Sequence, residues 1–139
     1  MQIFSKLQRN STNYIFAKLI FYFFAAVLNS EYLFFPLLIG FLGFSEDILI
    51  SSYYFAVFSI FHNISIVKSV YFLIFLIFFS YYLKDKIKDY VNPVYQPVVG
   101  IGIIYLFFLP VIGFDEFNIY YILYNITVDI IIYKILYRN

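Results

Sequence analysis

Apolar residues run along this chain in long blocks separated by short polar breaks. Blocks such as Tyr71 to Ser80 and Ile101 to Val111 extend into equally apolar neighbours, and a run near ~20 residues is what a hydrocarbon core of ~30 Å demands of a helix. A buried helix of a soluble domain would be shorter and flanked by polar partners. Residues 1–13 are polar, carry Lys6 and Arg9, and are expected at one membrane face. The first apolar block, Tyr14 to Phe44, is interrupted by Asn29, Ser30, Glu31 and Pro36. It reads as one long tilted helix or a span with a broken end, crossing once in either case. Glu46 and Asp47 open Ile48 to Phe61, whose ~14 residues suit an interfacial or re-entrant segment better than a full span.

Ile64 to Leu83 is the cleanest predicted span and closes on a charged turn, Lys84 to Asp89. Pro93 and Pro97 follow; a proline just inside a helix start is tolerated because its missing N–H would have no partner there. The next helix is therefore predicted from near Tyr95 to about Gly113, with Gly100 and Gly102 offering a surface for close helix approach. It stops at the acidic turn Asp115, Glu116. Phe117 to Tyr137 is a last apolar stretch interrupted by Asp129 and followed by Arg138; it either spans or lies along the membrane.

Lys and Arg are retained on the inner side of a membrane. Lys6, Arg9 and Lys18 mark the N-terminal end, and Lys84, Lys86 and Lys88 mark the turn after the Ile64 helix. Both clusters lie inside if an even number of crossings separates them, which leaves Asp115 and Glu116 outside. The predicted fold class is all-α: an integral membrane helical bundle with three core transmembrane helices and a possible fourth at the C-terminus. It forms a single membrane domain over 1–139, with a polar N-terminal segment, 1–13, and a C-terminal extension, 117–139.

Composition sharpens this. Of 139 residues, 64% are hydrophobic and 12% charged, whereas a soluble domain carries roughly 25% charged residues. A formal charge of +1 gives no basic excess to hold phosphates, so nucleic acid is excluded as a partner. The lipid bilayer is the expected environment. Phe (20) and Tyr (16) dominate, while Trp and Cys are absent; AT-rich codons encode the abundant set. So short and hydrophobic a chain fits an organellar genome and the mitochondrial inner membrane, with an AT-rich nuclear or bacterial gene as the alternative. Met1 leads into no signal-peptide or transit-peptide pattern. Without cysteine the chain forms no disulfide and no thiolate metal site.

The constellations of a self-sufficient enzyme are missing. One histidine, His62, cannot make a zinc site, which takes three or four ligands, and no glycine-rich phosphate loop or Ser-His-Asp set is visible. His62 reads as an ordinary hydrogen-bonded histidine at a helix boundary, with a proton or cofactor role as the alternative. The tyrosines are mostly interfacial aromatics with wet hydroxyls. Asp129 and Glu31 carry more information, because a charge near the bilayer centre costs ~2.5–3.5 kcal/mol and persists only with a partner or a function. Asp129 pairs with Lys134 or faces another subunit on the structural reading; Glu31 sits at a broken, water-facing helix end.

The stretch Leu83-Lys84-Asp85-Lys86-Ile87-Lys88-Asp89-Tyr90-Val91-Asn92-Pro93 resembles the end of the second helix in the small membrane-anchor subunit of succinate dehydrogenase, respiratory complex II. There an Asp-Tyr-Val triplet, sometimes followed by x-Pro, closes the helix on the matrix or cytoplasmic side. Lys18 early in the first helix, Lys68 near the start of the second, and an apolar helix directly after the triplet agree with that layout. The resemblance covers about residues 14–114. It implies a hydrogen bond from Tyr90 to a carbonyl of bound ubiquinone, with Asp89 organising the site. It also implies docking to the iron–sulfur subunit and to a second membrane-anchor subunit in a hetero-oligomer, with the N-terminus on the matrix side. The subunit itself would do no covalent chemistry and hold no metal. One departure stands out. The family usually has a haem-ligating histidine about three turns before the aspartate, where this chain reads Ile77, Phe78, Phe79, Ser80, Tyr81, Tyr82, so its haem ligand is expected to be lost. A glycine usual in the same helix is replaced by Tyr82. The rival readings are a transmembrane subunit of complex I, cytochrome oxidase or ATP synthase, with Asp129 or Glu31 on a proton path, and a purely structural accessory subunit.

Overall fold

A computed structural model describes residues 11–28, 37–113 and 116–137. All regular structure among them is helical: α1 (Ser11–Leu28), α2 (Ile39–Ser45), α3 (Ile48–Phe61), α4 (Ile66–Tyr90), α5 (Gln96–Ile112) and α6 (Glu116–Leu136). Two of these, α4 over its 25 residues and α6 over Asn118–Leu136, are long and apolar enough to cross a membrane.

Local sequence explains the boundaries. Asp47 accepts a hydrogen bond from the Ile50 N–H at 3.0 Å and so caps α3, and Ser65 caps α4 through the Lys68 N–H at 3.3 Å. Asn63 between them takes φ 57°, a left-handed conformation that asparagine tolerates better than most residues. Between α4 and α5, the Asn92 side chain accepts from the Val94 N–H at 3.0 Å, the local turn asparagine favours. Pro97 lies in the first turn of α5, as predicted.

α4 differs from its predicted form in two ways. The charged segment after Leu83 is not a turn: Lys84–Tyr90 continues the helix, because its lysines and aspartates are tolerable helix formers and no glycine or proline intervenes before Pro93. In addition, Phe79–Leu83 forms a π-helical stretch, which inserts an extra residue and turns the face beyond it.

Side-chain contacts fix the direction of each helix. Lys18 in α1 pairs with Glu46 after α2, its Nζ lying 3.1 and 3.2 Å from the two carboxylate oxygens, and the Lys84 Nζ reaches the Glu46 carbonyl at 3.5 Å. These residues define one end of the bundle. At the opposite end, His62 after α3 lies 3.2 Å from the Ala26 carbonyl of α1, and Phe23 meets Phe61 edge-on. Consequently α1, α3 and α5 run away from the Lys84 end, while α2, α4 and α6 run back towards it. Tyr133 near the end of α6 packs on Phe44, and Gly113 closes α5 at the far end. The N-terminal part of α1 and the Lys84–Lys88 cluster thus share an end, as the charges predict.

Their separation is nevertheless built differently. The block from Tyr14 to Phe44 does not run from one end of the bundle to the other, since Lys18 and Glu46 lie together. Nor does Ile48–Phe61 lie across an end: it stands beside α1, tied to it by a hydrogen bond from the Tyr53 hydroxyl to the Leu19 carbonyl at 3.0 Å. Among the described residues, five longer helices and one short one therefore replace the three core helices and possible fourth read from the runs.

The short helix is the hub. Six of the seven residues of α2, Ile39–Phe44, are buried, and it packs against α3, α4, α5 and α6. Glycine allows that density. A Cβ on Gly40 would collide with the Tyr105 ring, one on Gly100 with the Phe44 ring, and one on Gly43 would come within 2.7 Å of Ile104, so α2 and α5 approach closely through small residues. Gly102, expected to share that role, faces nothing within 4 Å. An aromatic cluster of Phe55, Phe72 and Phe108 joins α3, α4 and α5, with ring centroids 4.7–6.3 Å apart.

Candidate functional site

Two places carry the sequence-derived candidates, and the fold keeps them apart. The first is the Asp89-Tyr90-Val91 triplet. Asp89 is exposed and Tyr90 is 79% exposed at the end of α4. Beyond it the chain is held by Gln96, whose side-chain amide donates to the Val91 carbonyl at 2.9 Å and the Lys88 carbonyl at 3.3 Å. The ammonium of Lys86 stands 5.5 Å from the Tyr82 ring and 5.7 Å from the Tyr90 ring, within reach of a cation–π attraction. The pair is thus presented on a fixed helix end beside a lysine, and the described fold buries neither side chain.

Other expectations fall on individual residues. His62 stacks on Phe58 at 4.4 Å, and its Nε2 is engaged with the Ala26 carbonyl, which is the ordinary hydrogen-bonded role. Phe78 and Tyr82, where the resemblance leads one to look for a haem ligand, stack on each other at 5.2 Å. No group of three or more metal-ligating side chains occurs among the described residues. Glu31 lies outside the described residues.

Asp129 belongs to the second place. It is fully buried in α6, and its partner is not Lys134, which is exposed. Five residues along a helix is ~140° around it, beyond the i,i+3 and i,i+4 positions that face one another. Asp129 meets the Tyr105 hydroxyl of α5, and that hydroxyl also reaches the Leu37 carbonyl at 2.7 Å. One turn earlier in α6, Asn125 accepts from the Leu37 N–H at 2.7 Å and anchors its own amide on the Tyr121 carbonyl at 2.8 Å. From α3, the Tyr54 hydroxyl accepts from the Leu38 N–H at 3.0 Å. Asn125, Asp129, Tyr105 and Tyr54 are all fully buried.

These contacts close an account of backbone groups. The first four N–H groups of a helix lack partners within it, and α2 begins inside the bundle, roughly 10 Å of helix from Glu46 at 1.5 Å per residue, where no water reaches. The Leu37 and Leu38 N–H groups go to Asn125 and Tyr54, the Leu37 carbonyl to Tyr105, and the N–H groups of Gly40 and Phe41 approach Tyr105 and Asp129. Three other helices thus cap one buried helix start. Sequence reasoning singled out only Asp129. Asn125 could have been found, since four residues earlier on one helix means the same face; nothing in the sequence distinguishes Tyr54 and Tyr105 from the other tyrosines.

Comparison with protein-family models, with characterised proteins and with solved structures finds nothing that matches this chain. What fold and site define is an all-helical protein with two helices suited to a membrane, a buried polar centre, and an exposed acidic-aromatic helix end.

Proposed function

We propose that this chain is an integral membrane bundle serving as a non-catalytic anchor subunit of a respiratory complex, succinate dehydrogenase, in the mitochondrial inner membrane. The membrane part of the reading rests on where apolar surface remains. Phe16, Ile20 and Phe24 on α1, Ile66, Ile74 and Tyr81 on α4, and Leu123 and Ile135 on α6 are each more than half exposed. A solvated monomer rarely carries apolar patches beyond a few hundred Å²; a lipid-facing one must. The polar centre, in turn, is what a broken helix needs where lipid excludes water.

The observation that carries the anchor reading is the triplet: Asp89, Tyr90 and Val91 end the longest apolar helix beside the basic cluster, and Tyr90 is available to a partner. A quinone site needs an apolar slot near the interface and a few donors, and a phenol donates at neutral pH. The iron–sulfur subunit and a second anchor subunit would supply the remaining walls of the ubiquinone pocket, while flavin and clusters elsewhere carry the electrons. Loss of the family's haem histidine leaves any haem to be held by a partner.

Isolation of the tagged chain from its own membranes in mild detergent tests this reading. A flavoprotein and an iron–sulfur protein should accompany it in equal amounts. Recovery in stoichiometric amount with another respiratory complex would refute it.

A further inference from the structure

The buried centre has a proton count that its oxygens do not satisfy with an ionised carboxylate. The Tyr105 hydroxyl has one hydrogen and touches two acceptors, the Leu37 carbonyl and an Asp129 carboxyl oxygen, Oδ2. A carbonyl has no hydrogen to give. If Asp129 is ionised, one of the two contacts sets lone pair against lone pair in a fully buried place. With a proton on Oδ2, Asp129 donates to the Tyr105 oxygen, Tyr105 donates to Leu37, and both contacts are hydrogen bonds. The other carboxyl oxygen, Oδ1, is buried without a partner at full hydrogen-bond geometry, a serious loss for a carboxylate and a small one for the carbonyl oxygen of a neutral acid.

Among the described residues no cation compensates Asp129. Tyr105 faces Asp129 from α5 and Tyr54 from α3, while α2 presents only backbone, with the Phe41 N–H nearest. From α6, Tyr121 faces Tyr54, and the Lys84 ammonium of α4 is engaged at the Glu46 end. The one ion pair among the described residues, Lys18–Glu46, lies at that same end.

We propose that Asp129 and Tyr105 form a buried proton-binding site, in which one proton held on Asp129 ties α5 and α6 to the start of α2 at Leu37. This goes beyond the anchor reading and does not depend on it. The site stores a proton as a structural element and passes none on: the Tyr105–Leu37 bond ends its hydrogen-bond chain on a backbone carbonyl.

Infrared spectroscopy of the purified chain in lipid at neutral pH reads the proton directly. The chain has eight Asp and Glu residues, so the band is assigned to Asp129 by the difference between the wild type and Asp129→Asn. The wild type should show a carbonyl-stretch band of a protonated carboxylic acid that Asp129→Asn lacks, the variant keeping its helical circular dichroism. Absence of such a band in the wild type overturns the proposal, as does a band undiminished in Asp129→Asn. Should that variant fail to fold, Tyr105→Phe decides. Removing the acceptor of the acid proton must shift the band to higher frequency, and an unmoved band assigns it elsewhere and overturns the proposal.

Discussion

Removing the Tyr105 hydroxyl should unfold more of this protein than removing any other tyrosine hydroxyl at the helix contacts. Tyr105→Phe keeps the ring that fills the space beside Gly40, so no cavity opens and the measured loss is that of the oxygen. The hydroxyl serves two groups, the Leu37 carbonyl and the Asp129 carboxyl, and Tyr105, Leu37 and Asp129 are each 0–1% exposed. A buried polar group left without its partner costs ~1–3 kcal/mol. Hydrogen bonds within bilayers average only ~0.6 and reach ~1.7 kcal/mol, because the unfolded chain in lipid finds other partners. Two such losses at this scale give roughly 1–3 kcal/mol. Tyr71→Phe is the control: its hydroxyl donates to the Phe107 carbonyl at 3.1 Å, but the side chain is 37% exposed, and its loss should cost about 0.5 kcal/mol.

Reversible unfolding in mixed micelles, followed by helical circular dichroism, measures both variants. A gap of about 1–2 kcal/mol, roughly 5- to 30-fold in the unfolding equilibrium, is expected between them. Equal losses would mean that the start of α2 does not depend on Tyr105. In a double-mutant cycle, Tyr105→Phe and Asp129→Leu should be less than additive, since the second change removes a group whose partner has already gone.

At the α2–α5 crossing, Gly100→Ala should cost ~1–3 kcal/mol by driving a methyl into the Phe44 ring, whereas Gly102→Ala, with nothing within 4 Å, should be neutral or stabilise by up to ~1 kcal/mol; melting of the two variants checks the contrast. Because the chain has no cysteine, Lys88→Cys and Asp115→Cys are single labelling sites, and a membrane-impermeant thiol reagent applied to sealed vesicles should reach them from opposite sides; labelling of both from one side refutes the proposed orientation. Tyr90→Phe should weaken quinone reduction by the intact complex about 2- to 13-fold, the equivalent of one neutral hydrogen bond of ~0.5–1.5 kcal/mol, with assembly unchanged on a native gel. An unaltered rate removes Tyr90 from the quinone site.

Helix positions were legible where a local rule sets them. Asp47 announces the start of α3, Pro97 fits a first turn, and Gly113 ends α5 at φ 105°, each a consequence of a few adjacent residues. The continuation of α4 through Lys84–Tyr90 was misread because charge density was taken for a turn, although charged residues form helix readily and snorkel at its end. Helix number was misread for a different reason. Apolar runs report depth in a low-dielectric core, and they do not say whether a run doubles back. Asn29 to Pro36 marked an interruption, yet only the Lys18–Glu46 pair shows that the chain beyond it returns to its starting end.

The same limit governs the candidate site. Asp129 stood out because an acid in an apolar run needs a reason, and two reasons were open: a charge partner or a place on a proton path. The fold supplies a third. A helix that begins inside the bundle leaves N–H and C=O groups that neither water nor lipid can satisfy, and the buried side chains of Asn125, Tyr54, Tyr105 and Asp129 are distributed over those groups. The broken helix and the buried acid are therefore one feature: each would be costly alone, and each removes the other's cost. Sequence shows both halves, the interruption before Leu37 and the acid at Asp129, separated by about ninety positions. Joining them requires knowing that α2 lies against α6, and that contact is set by the packing of Gly40, Gly43 and Gly100 against rings and branched side chains across the α2–α5 crossing.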